Sequence, residues 1–190
     1  MIARQPPATL DDLYRVDGKA ELIGGRIVHF MASGDLPSEI AFEIAVRLRE
    51  YARQCAVGKA YSDGIGYAMR PPLTSGRESF SPDASYYIGP LPKNRMRFIE
   101  GAPIFAVEVR SEDDYGPAAE LEMAAKRRDY FEAGTSVVWD VDPIAGTISS
   151  YVESAPQQPV VFAAGETAHA QPAIPNWRVK VSEILAPAGS

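Results

Sequence analysis

The chain has 190 residues, 46% hydrophobic and 23% charged, with a net charge of −6. That length suits one domain with one core over residues 1–190, and the acidic balance excludes a protein that coats nucleic acid through a generally basic surface. The single Cys55 excludes an intramolecular disulfide and a multi-cysteine zinc centre, and no apolar run approaches the roughly 20 residues that cross a bilayer.

Met1 to Pro7 lacks the apolar core of a signal peptide, so the expected location is cytoplasmic, with no membrane. Asp11 to Val16 reads as a short amphipathic helix. Glu21-Leu22-Ile23 and Arg26-Ile27-Val28 flank Gly24-Gly25, a dipeptide suited to a tight primed hairpin turn. A long helix follows, with Ser38 as its expected cap. Ile40, Ile44, Leu48, Tyr51 and Cys55 form its apolar face, which makes Cys55 a small core residue. Residues 60–69 and 83–88 read as strands. Ile104 to Val109 is apolar except for Glu108, the pattern of a strand buried on both faces.

A second helix is expected from about Pro117, which suits a first turn, to Ala133, with Gly134 at C′. Ser136 to Val141 is another buried strand, ended by a turn at Asp142-Pro143. Thr147–Val152 and Val160–Ala163 read as edge strands of an antiparallel extension, and Ile184-Leu185 closes the chain. Strand, helix and strand over 104–141 imply a parallel crossover. The expected fold is α/β, a mixed central β-sheet flanked by helices.

Glu108 is the first candidate for chemistry. A carboxylate inside Phe105-Ala106-Val107-Glu108-Val109 is costly to bury without a metal or cation. Alternation puts Ala106 and Glu108 on one face and Phe105, Val107 and Val109 on the other. Asp83, after Pro82 at a strand start, is the second carboxylate. Two carboxylates and a nearby lysine can hold Mg²⁺ through hard oxygens, activate a water and stabilise charge on phosphorus. Lys126 is that lysine, but Glu122 lies four residues before it and offers an ordinary helical ion pair instead. Arg110, two residues after Glu108, competes for the cationic role, although it cannot act as a base. Basic patches for phosphate are offered by Lys93, Arg95 and Arg97 in one loop, and by Lys126, Arg127 and Arg128 in one helix. Tyr86, Tyr87 and Trp139 read as core or interface residues.

In order, the segments Glu21-Leu22-Ile23-Gly24-Gly25, Ser81-Pro82-Asp83-Ala84, Val107-Glu108-Val109-Arg110-Ser111, Lys126-x-x-x-Tyr130-x-x-x-Gly134, Val137-Val138-Trp139-x-Val141-Asp142-Pro143 and Asn176-Trp177-Arg178-Val179 cover nearly the whole chain. Together they resemble the bacterial Uma-two family of putative restriction endonucleases, within the PD-(D/E)XK nuclease superfamily. The resemblance implies a restriction-endonuclease-like core and a Mg²⁺-dependent DNA endonuclease, with Mn²⁺ as a possible substitute; a homodimer is the expected assembly, because two symmetric sites are the simplest way to cut both strands of a duplex. The resemblance also implies that Asp83 and Glu108 bind metal and that Lys126 is the catalytic lysine displaced onto the helix; Glu21 matches a recurrent family glutamate and either supports the metal site or is an ordinary hairpin residue, while Arg110 stays the competing cation beside Glu108. One departure stands out: family members often carry a histidine before the long helix, and here that stretch is Gly34-Asp35-Leu36-Pro37-Ser38-Glu39. His29 and His169 have no metal-ligand spacing. The alternative reading is a catalytically inactive nuclease-like module that binds nucleic acid or protein.

Overall fold

The computed structural model describes residues 6–185; residues 1–5, part of the segment read above for a signal peptide, lie outside them. The chain begins with a short helix α1 (Leu10–Leu13), capped by the Thr9 side chain in a capping box with Asp12. A hairpin of β1 (Ala20–Ile23) and β2 (Arg26–His29) turns at Gly24 and Gly25, both with positive φ (56° and 70°), as a primed turn requires. Helix α2 (Asp35–Cys55) comes next. It starts three residues before the expected Ser38 cap, with Gly34 at the N-cap and Pro37 accommodated in its first turn.

Strands β3 (Lys59–Ser62), β4 (Tyr67–Ala68), β5 (Ser79–Phe80), β6 (Ala84–Tyr87), β7 (Ile99–Glu100) and β8 (Phe105–Val109) follow. Helix α3 (Pro117–Glu132) has Pro117 in its first turn and Gly134 just beyond its cap at φ 96°. Strands β9 (Val137–Asp142), β10 (Thr147–Val152), β11 (Ala155–Ala163), β12 (Thr167–His169) and β13 (Arg178–Lys180) lead to a final helix α4 (Val181–Leu185).

The central sheet has six strands in the order β11-β10-β9-β8-β6-β3. Only β8 and β9 are parallel, joined through α3 as the strand–helix–strand pattern implied; the other pairs are antiparallel, so the sheet is mixed. Strand β10 lies inside the sheet rather than at its edge, because the extension it begins is closed by β11. One face carries Phe105, Val107, Trp139 and Ile148 against Ile40, Ile44 and Leu48 of α2 and the C-terminal Trp177 and Ile184. The opposite face packs Ala106 and Val138 against Tyr130 and Phe131 of α3 and the aromatic residues of a small three-stranded sheet, β5-β4-β7. Tyr86, Tyr87 and Trp139 are core residues, as expected.

Cys55 departs from expectation. It is exposed, in the last turn of α2, where the chain leaves the helix through Ala56 in a left-handed conformation. The stretch 60–69 is two short strands in different sheets, with Asp63 and Gly64 in the intervening turn. No helix among the described residues is long and apolar enough to cross a membrane.

Candidate active site

The alternation of β8 sends Glu108 to the α3 face, next to the carboxyl end of the parallel pair. There α3 offers it two partners one helical turn apart. Lys126 Nζ donates to Glu108 Oε2 at 2.9 Å, and the Tyr130 hydroxyl donates to Oε1 at 2.6 Å. Lys126 ignores Glu122 and turns inward, reaching Glu21 Oε1 at 3.3 Å as well. The Phe30 ring lies 5.6 Å from the same ammonium group.

Glu21 arrives from the β1–β2 hairpin, which is fastened to the approach of β5. Leu22 N–H donates to Ser79 Oγ at 2.8 Å, Glu78 N–H to Leu22 carbonyl at 2.8 Å, and Gly24 N–H to Gly76 carbonyl at 2.7 Å. The Glu21 side chain is completely buried, and both its oxygens are used. Oε1 accepts Ser81 N–H at 2.9 Å, and Oε2 accepts the Arg77 guanidinium, which also holds Asp129 of α3 at 2.8 Å.

Asp83 follows two residues after the Ser81 amide that Glu21 fixes. Its own N–H donates to Val107 carbonyl at 3.0 Å, and its Oδ2 accepts Val109 N–H at 2.8 Å, so it brackets Glu108 from the neighbouring strand. Its Oδ1 accepts Lys19 Nζ at 2.7 Å, and Lys19 also reaches Asp63 Oδ1 at 2.7 Å. A cleft of about 300 Å³ opens beside Asp83 and Asp63, walled by Ser38 and Phe42 of α2.

The electrostatics separate these groups. Burial raises the Glu108 carboxyl above its usual range; Lys126 opposes that, but the charges of Asp83 and Glu21 add to it. Burial also pushes Glu21 up, yet Lys126, Arg77 and the Ser81 amide outweigh it and leave Glu21 below its usual range. Burial opposes the charge on Lys126, but Glu108 and Glu21 overcome it and hold the ammonium more firmly protonated than an ordinary lysine. Tyr130 is likewise held as a neutral hydroxyl, by burial and by the adjacent carboxylates.

Asp83, Glu108, Lys126 and Glu21 are therefore brought together, and Arg110 is not. Its guanidinium donates to both Asp140 oxygens, at 2.8 and 2.9 Å, and to Glu120 at the start of α3. Asp140 draws it away because β9 sets that residue in register with Glu108, one strand further from Asp83. Arg127 also turns inward to Asp140, so the basic run on α3 is largely spent on internal pairs. In the other basic loop, Arg97 pairs with Asp11 and lies over the Tyr14 ring.

Sequence reasoning missed roles for Lys19, Asp63, Arg77 and Tyr130. Two of them carried signals. Lys19 stands two residues before Glu21, hence on the same side of the hairpin, and Tyr130 stands one turn after Lys126.

Among the described residues no group of three Asp, Glu, His or Cys side chains is placed to hold a metal ion. A small divalent cation does not require such a group, since Mg²⁺ commonly takes one or two carboxylates and keeps water or phosphate oxygens. Two hard carboxylates, one of them raised by burial and by its neighbours' charge, fit such an ion. Glu21, fully buried and tied to Arg77 and the Ser81 amide, is set deeper than Glu108, whose side chain is 23% exposed, and it supports Lys126.

No curated protein sequence matches this chain. A crystal structure from Anabaena variabilis, described as a putative nuclease belonging to DUF820, superposes with a TM-score of 0.72 at 20% identity. The match covers 94% of this chain and 98% of that one, and it agrees in fold with the mixed sheet and flanking helices described above. The model of the Uma2 family, described as putative restriction endonucleases, matches residues 7–182, so the chain belongs to that family.

Proposed function

We propose that the chain is a metal-dependent DNA endonuclease whose centre is Asp83, Glu108 and Lys126. The observation that supports it most is the inward turn of Lys126 onto Glu108 and Glu21, with Asp83 anchored across the Val107–Val109 backbone beside them. Family membership supports the same reading. Asp83 and Glu108 would hold the cation, Mg²⁺ or in its place Mn²⁺, which when bound would polarise a phosphate oxygen and acidify a water.

The remaining work falls to the chain's own groups. Lys126, kept charged by its two glutamates, acts as a donor to the oxygens that gain charge on phosphorus, not as a proton acceptor. Tyr130 and Glu21 hold Glu108 and Lys126 in place. Hydrolysis adds water across one P–O bond, and the superfamily resemblance implies 5′-phosphate and 3′-hydroxyl ends. Two copies in a homodimer would cut both strands of a duplex.

The test is nicking of plasmid and single-stranded DNA with Mg²⁺ or Mn²⁺. Wild type is expected to cut, and EDTA to stop it. Glu108→Ala is expected to abolish cutting, and Lys126→Ala to slow it by on the order of 10²–10³-fold. Absence of cutting on every substrate, with metal binding retained, would favour the inactive binding module.

A further inference from the structure

We propose that Lys19 is a further residue of this site: a tethered counter-ion that neutralises Asp83 until a divalent cation binds, and then, held by Asp63, offers its ammonium group to the substrate phosphate. This rests on the reading of Asp83 as a metal ligand.

The two carboxylates proposed to hold metal are matched by two lysines. Lys126 serves Glu108, and Lys19 serves Asp83. Each lysine bridges to a second carboxylate, but the bridges differ. Lys126 ends on Glu21, which is buried and locked by Arg77 and the Ser81 amide. Lys19 ends on Asp63, which is half exposed at the rim of the cleft. Asp63 keeps one partner without Lys19, because its Oδ1 also accepts the N–H of the adjacent Gly64 at 2.8 Å.

Asp83 is divided in the same way. Oδ2 is committed to the Val109 amide, while Oδ1 has, among the described residues, only the Lys19 ammonium as partner. Oδ1 is therefore the oxygen a cation would take, and Lys19 is the group it would displace. An ammonium carries three donors, and only one is needed for Asp63. Once released from Asp83, Lys19 remains at the cleft wall through Asp63, with donors free for an anionic oxygen. A purely structural ion pair would pin the start of β1 and nothing else.

The experiment measures two affinities on the full chain: Mn²⁺ by calorimetry or electron paramagnetic resonance, and a phosphorothioate oligonucleotide in Ca²⁺ by fluorescence anisotropy. Lys19→Met is expected to bind Mn²⁺ tighter, on the order of fivefold, because the competing charge is gone, and to bind the oligonucleotide more weakly. Lys19→Arg is expected to restore much of the oligonucleotide affinity. Asp63→Asn leaves Lys19 to Asp83 alone, so Mn²⁺ is expected to bind more weakly. These opposite signs are what a structural role does not produce, and Asp63→Asn carries the test if Lys19→Met does not fold. Unchanged or weaker Mn²⁺ binding in folded Lys19→Met overturns the proposal alone, provided that wild type binds Mn²⁺ and Glu108→Ala does not. A wild type that takes up no Mn²⁺ overturns both this inference and the metal-dependent reading.

Discussion

Glu108 and Asp140 are neighbours in register on the parallel strands β8 and β9, facing the same helix, yet they live in opposite circumstances. Asp140 is 4% exposed and is gripped by two arginines, Arg110 and Arg127. Glu108 has a side chain 23% exposed, meets one lysine and one tyrosine, and stands beside two further carboxylates. One carboxylate is saturated by forked donors that match its geometry. The other is left under-compensated at the open end of the sheet. The contrast suggests a division of labour: Asp140 ties α3 to the sheet, and Glu108 is kept available for a ligand.

The largest expected effect separates the two by chemistry. Glu108→Gln keeps size and most hydrogen bonds but removes the charge, and is expected to lower metal-dependent cleavage by at least roughly a thousandfold. Asp140→Asn is expected to keep cleavage per folded molecule within about tenfold. Steady-state rates normalised to folded protein measure both. Equal losses would mean that the arginine-bound carboxylate belongs to the reactive centre.

Stability should invert the ranking. Asp140→Ala strands Arg110 and Arg127 beside a buried gap, and is expected to cost about 3 kcal/mol, near the lower end for breaking a buried pair because Arg110 keeps Glu120. Glu108→Ala also removes a partner of Lys126, but it relieves repulsion with Asp83 and Glu21, and Lys126 retains Glu21. A smaller loss is expected there. Urea denaturation at neutral pH measures both, and a larger loss for Glu108→Ala would reverse the division of labour.

How much of this was readable in advance follows from the range of each interaction. The buried strands β8 and β9, the helix between them and the Gly24-Gly25 hairpin are local patterns, and they stand where the sequence put them. Glu108 announced itself as a charge in an apolar run. The partner of Lys126 was not decidable from the chain, because Glu122 at four residues and Glu108 at eighteen are equally good carboxylates; the packing of α3 on the sheet chooses. Arg110 misled for a related reason. It shares the face of Glu108 by alternation, but Asp140 on the adjoining strand is nearer to its fork. Lys19, Asp63 and Asp83 come from three segments distant in sequence, and only the packed hairpin brings them together. The small sheet of β4, β5 and β7 was missed because two-residue strands leave no periodicity to read.

The smallest expected effect concerns titration without metal. Burial and the charges of Asp83 and Glu21 raise the Glu108 carboxyl, so its midpoint in ¹³C NMR is expected above the ordinary glutamate range. The folded state then holds that proton more tightly than the unfolded chain does. Its stabilising contribution is complete below the unfolded pKa and is lost as pH rises through the folded one. Glu21, lowered by Lys126 and Arg77 against its burial, behaves oppositely: its contribution is present above the unfolded value and is lost as pH falls through the folded one. Asp83→Asn removes a repulsive charge and is expected to move the Glu108 midpoint down. Asp140→Asn is expected to move it much less, since that carboxylate is already neutralised by its arginines. If Asp140→Asn moves Glu108 as far as Asp83→Asn does, the two neighbourhoods form one electrostatic unit, and a saturated anchor beside an available ligand is the wrong description of this face.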